Sequence, residues 1–121
     1  MNEASNFDQL NFEQQEQDQI ISQLLFDSDF LNKCIRKGVD ASLFAGEVRQ
    51  KTVEFAFNYF YKYREAPSKS IMDILADDNG LGVSVREEDV DLMTDYVGEI
   101  ILIKNSKGQV ERLFDKLQIF V

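Results

Sequence analysis

The chain has 121 residues, 44% apolar and 29% charged, which suits one domain with a real core and is too short for two ordinary ones. A formal charge of −9 argues against phosphate-backbone binding as the main activity. There is no histidine and one cysteine, which excludes His-based triads, His metal ligands, an intrachain disulfide and a structural zinc site.

Residues 1–11 are polar and amide-rich and are expected to form a flexible arm, with residues 12–121 as a single helical domain. From Phe12 the spacing turns helical, and Ile20, Ile21, Leu24 and Leu25 supply an apolar face. Asp27 or Ser28 can cap a second helix, carrying Phe30, Leu31, Cys34 and Ile35, with Gly38 as its stop. Cys34 reads as a small buried apolar residue. Lys33, Arg36 and Lys37 form either a local basic strip or, more simply, cations that complement the end of that helix. Leu43 and Phe44 are apolar plugs in a short connector.

The third helix is expected from near Gly46 to near Arg64, because Pro67 disfavours helical geometry at Ala66. It contains "VEFAFNYFYKY", residues 53–63, whose alternating aromatics mimic a strand. A strand of that length would exceed the usual five or so residues, and the flanks carry helix formers. At about 100° per residue, Val48, Thr52, Phe55, Ala56, Tyr59 and Tyr63 share one arc, extended by Val53 and Phe60. Phe55, Tyr59 and Tyr63 are therefore assigned to the core. Phe57 and Tyr61 fall outside the arc and stack at a spacing of four, as either a second intrachain packing face or a partner surface. Arg49 points into the arc, so its stem either snorkels or its guanidinium is buried and paired.

Ser68 or Ser70 can cap a fourth segment with Ile71, Ile74 and Leu75, followed by a loop through "ADDNGLGVS". A fifth helical pattern runs from Glu87 to Lys104 through Val90, Met93, Val97, Ile100 and Ile101. Ile100 to Ile103 could alternatively be a short strand, and this longest apolar run is far too short to span a bilayer. "NSKG" reads as a tight turn, and Val110, Leu113, Phe114, Leu117 and Val121 close the chain at helical spacing. The expected fold is all-α, a compact multi-helix domain of about five to six helices ending in an αα-hairpin-like pair. No secretory signal is visible, so a cytoplasmic location is expected.

Chemistry-bearing motifs are sparse. No P-loop occurs, and "GLG" at Gly80 to Gly82 does not continue as a dinucleotide fingerprint. "EEDVD", Glu87 to Asp91, lacks the ligand spacing of an EF-hand and reads as acidic residues at a helix start. Neither a catalytic site nor a cofactor or metal site is expected, and the chain alone is not expected to be an enzyme.

The order of motifs adds a resemblance. "IISQLLFDSDFL", a connector ending in Phe44, "FAFNYFYKYREAPS" with its Tyr63-to-Pro67 end, and then "IMDIL" resemble the N-terminal domain of DnaB-type replicative DNA helicases, in the bacteriophage branch. The likeness covers roughly residues 16–76 and resumes loosely at "VERLFDKLQIFV". It implies a non-catalytic assembly and docking domain that contributes to a hexamer collar and meets a primase or helicase loader. It also implies self-association as a dimer or ring, no direct nucleic-acid binding, no membrane association, and the host-cell cytoplasm as location. The RecA-like motor of that family is absent, and the apolar pattern is still running at Val121, as expected of a fragment. Contacts are expected through Phe57, Tyr61, Phe114, Leu117 and Phe120. The alternative is a free-standing acidic helical adaptor or inhibitor of a host protein, and a nucleic-acid binder ranks last on charge.

Overall fold

A computed structural model describes residues 13–68, 71 and 87–119, with backbone alone for residues 87–89. The expected arm at 1–11 and most of the fourth segment, with its loop, lie outside the described residues, although Ile71 is buried. Five α-helices are described: α1 Gln14–Phe26, α2 Ser28–Arg36, α3 Glu47–Tyr63, α4 Glu87–Ile100 and α5 Lys107–Gln118, with a 3₁₀ turn at Ala41–Leu43. Among the described residues there is no strand. The all-α class follows directly from the apolar spacing.

Helix α1 is the centre of the fold. Its stripe of Ile20, Ile21, Leu24 and Leu25 is fully buried, which is worth about 1.5–3 kcal/mol for each side chain. Helices α2, α3, α4 and α5 all pack on it. Its exit is abrupt because Asp27 serves two helices. Asp27 takes extended geometry, its amide donates 2.9 Å back to the Gln23 carbonyl, and its carboxylate accepts from the Phe30 amide at 3.1 Å.

Helix α2 buries Phe30, Leu31 and Cys34 and ends in a Schellman motif. Gly38 has φ +82, its amide donates to the Ile35 carbonyl, and the Val39 amide donates to that of Cys34. The left-handed turn costs glycine little. The connector then plugs the core with Phe44, which is fully buried.

Helix α3 buries Thr52, Val53, Phe55, Ala56 and Phe60. Tyr59 and Tyr63 depart from the expected core assignment: Tyr59 is half-buried and Tyr63 is 46% exposed. Both point along the inward arc, but they lie on the last turns of the helix. The chain leaves α3 through Arg64, at φ 61, and is pinned to the start of α2 by the Ala66 amide donating to Ser28 Oγ at 2.8 Å. The final turn therefore projects past the core.

Helix α4 buries Met93, Val97 and Ile100 and stops at Ile100, short of the expected Lys104. Residues 101–102 form a turn, so the strand alternative fails there. "NSKG" is a helix start rather than a tight turn. Ser106 Oγ accepts from the Gln109 amide at 3.2 Å, and the Gln109 side chain accepts from the Ser106 amide at 3.0 Å. This reciprocal capping box satisfies two donors that a turn would leave open. Helix α5 follows, burying Leu113, Phe114 and Leu117.

Candidate interaction surface

Two side-chain clusters stand apart from the plain apolar core. The first is internal. Arg49, near the start of α3, makes a bidentate pair with Asp18 of α1, its Nε donating at 2.8 Å and its Nη2 at 3.2 Å. Tyr96 of α4 donates its hydroxyl to the same carboxylate, and the guanidinium lies 5.7 Å from the Tyr96 ring centroid. The side chains of Arg49 and Asp18 are only 16% and 23% exposed. The hydrogen bond to Asp18 raises the Arg49 pKa, and burial, followed by the Asp18 carboxylate, pushes the Tyr96 phenol up. The paired alternative for Arg49 holds, and this cluster ties three helices together. It is a structural lock, since its groups are already engaged with one another.

The second cluster is on the surface. Glu54, Phe57, Asn58 and Tyr61 occupy positions i, i+3, i+4 and i+7 of α3 and so share one outer face. The end of α2 and the connector run opposite that face, bringing Ile35, Val39, Asp40 and Ala41 against it. Between them lies an open groove of about 510 Å³. Phe57 forms its floor, half-buried against the core, while Tyr61 stands 55% exposed on its wall. Asp40 uses one carboxylate oxygen to cap the connector, accepting from the Ser42 amide at 3.1 Å. Glu54 is exposed, and among the described residues no lysine or arginine lines the groove.

A row of rings continues along the other edge of α3. Phe55 and Tyr59 lie 6.4 Å apart, Tyr59 and Tyr63 lie 4.7 Å apart, and Lys62 sits 5.4 Å from the Tyr63 ring.

Of the expected contact residues, Phe57 and Tyr61 are brought together on this groove. Phe114 and Leu117 are not surface residues: they are 7% and 0% exposed, inside the chain's own core. Phe114 packs edge-to-face on Phe30 at 6.0 Å and carries Lys33 over its other side at 4.3 Å. A helical stripe ending a sequence looks the same whether its cover is internal or external, and here α1 and α2 supply the cover. Phe120 lies outside the described residues. The carboxylates of the groove carried no sequence signal, because Asp40 and Glu54 meet only through the fold.

Cys34 is fully buried, and desolvation pushes its thiol pKa up to about 12. Among the described residues, no group of three carboxylates or cysteines is placed to hold a metal ion, and no helix is long and apolar enough to cross a membrane. No protein-family model matches the chain, and comparison with curated proteins and with solved structures finds no match.

Proposed function

We propose that this chain is a non-catalytic docking domain, the helical head of a DnaB-type replicative helicase of the bacteriophage branch, which meets neighbouring copies and a primase or helicase loader. One observation carries the docking reading: α3 keeps Phe57 and Tyr61 at or near the surface on its outer face, and Tyr63 exposed at its end, while its inward arc builds the core. Large aromatics on a rigid helix, bordered by polar residues, are the makings of a protein interface. The helicase assignment rests on the motif order along residues 16–76, of which this helix is the densest part. The non-catalytic part rests on the absence of histidine and on Cys34, whose raised pKa keeps it a protonated thiol at neutral pH.

The test is calorimetric titration of the purified chain with the primase and the helicase loader encoded by the same genome, alongside light scattering. Binding to either protein, or a mass above the monomer, is the expected result. A chain that stays monomeric at high concentration and binds neither overturns the reading.

A further inference from the structure

The groove between α3 and the connector is polarised in a way that selects its occupant. Among the described residues, its apolar surface comes from Ile35, Val39, Phe57 and Tyr61, and its charged groups are Asp40 and Glu54. Both charges have one sign. Arg36 and Lys37 precede Gly38 and are exposed, but neither lines the groove. The volume, about 510 Å³, falls within the roughly 300–1,000 Å³ of built clefts and holds a few side chains, not a domain.

We infer that this groove binds a basic–apolar peptide segment of a partner protein, seating an aliphatic or aromatic side chain against Val39 and Phe57 while a neighbouring lysine or arginine pairs with Glu54 and Asp40. The inference deepens the docking reading above and rests on it. Charge complementarity carries the choice of occupant. An acidic segment would meet two carboxylates, and a purely apolar one would cover Glu54 without pairing it. A second copy is disfavoured on the same ground. Each copy carries −9, and a twofold contact through this groove would bring two Asp40–Glu54 pairs together. The net charge also steers cationic segments toward the chain from solution.

The experiment pans a phage-displayed library of random 12-residue peptides against the full chain. Enriched peptides are then measured by fluorescence anisotropy against four variants. Glu54→Lys and Asp40→Asn change the groove charge, and Asp40→Asn keeps an acceptor for the Ser42 amide. Tyr61→Ser removes an exposed wall, and Glu111→Lys reverses an exposed charge on α5, away from the groove. Enriched sequences are expected to place Lys or Arg within a turn of Leu, Ile, Phe or Trp. Binding should weaken tenfold or more with Glu54→Lys and with Tyr61→Ser, weaken less with Asp40→Asn, and hold with Glu111→Lys. The inference is overturned by acidic enriched peptides, by no enrichment, by equal losses with Glu54→Lys and Glu111→Lys, or by a dimer that the groove variants abolish. Groove-dependent peptide binding by a chain that stays monomeric and binds neither primase nor loader would leave this inference standing and remove the helicase reading. Primase or loader binding that ignores all groove variants would do the reverse.

Discussion

Arg49 would destabilise an apolar arc if it stood alone, and Asp18 and Tyr96 are what make its position tolerable. Removing one member of a largely buried charge pair leaves the other desolvated. Asp18→Asn and Arg49→Met should each cost about 1–3 kcal/mol in urea unfolding. The double variant should cost clearly less than their sum, because each single change already forfeits the same interaction. Tyr96→Phe should cost about 1 kcal/mol, since it removes one hydrogen bond and leaves the ring over the guanidinium. Strict additivity would show that the cluster is not coupled. Cys34 gives a second residue-scale outcome. Its thiol loses a proton near 9.0 when unfolded but holds it to about 12 in the fold. In that window the unfolded chain binds fewer protons, so stability falls as pH rises, and below pH 9 the thiol has no effect. The loss should reach about 1.4 kcal/mol by pH 10. Cys34→Ala is less stable overall but should show a shallower decline of unfolding free energy between pH 9 and 10. The inward position of Arg49 was legible from the helical wheel. Its partners were not, because Asp18 is 31 residues away and the Asp18–Tyr96 pair spans 78.

At the scale of elements, two positive-φ residues make a matched pair. Gly38 at φ +82 ends α2, and Arg64 at φ +61 ends α3. Glycine accepts that geometry freely, whereas a Cβ strains it. Gly38→Ala should therefore lower the melting free energy by about 1 kcal/mol. Arg64→Gly should raise it by about 0.5 kcal/mol, the strain relieved being partly offset by the looser unfolded chain. Opposite signs in thermal denaturation are the check, and a loss at both positions would sink the account. Gly38 announced itself in the sequence, but the left-handed cap at Arg64 did not, since Pro67 marks only where a helix must have stopped. Residues 105–108 failed differently. Small polar residues pointed to a turn, yet Ser106 and Gln109 sit at the capping-box spacing, and that reciprocal pair decides the local geometry. Tyr63 shows the limit of periodicity, which gives direction around a helix but not whether anything stands there to cover it.

Across the whole molecule, α1 packs against every other described helix, and polar contacts to α3, α4, α5 and the connectors add to the apolar ones. Gln17 Oε1 accepts from the Ala45 amide at 2.7 Å, Asn105 donates to the Gln19 carbonyl at 2.9 Å, and Lys116 pairs with Glu16 at 2.6 Å. Sequence periodicity located the apolar stripe of α1 but not its central place, and offered the aromatic helix as either packed on two sides or facing a partner. Partnership is set by topology, and the residues that α1 binds are spread from Ala45 to Lys116. That spread has a temporal consequence. The ribosome makes α1 before the helices that cover it, and α4 and α5 follow α1 by roughly 60 to 80 residues, at about 5–20 residues per second. For several seconds Ile20, Ile21, Leu24 and Leu25 have only part of their cover, and the nascent chain is a client for whatever holds apolar segments during translation. Purified fragments ending after α4 should stay protease-sensitive throughout α1, and protection should appear in one step when α5 is included.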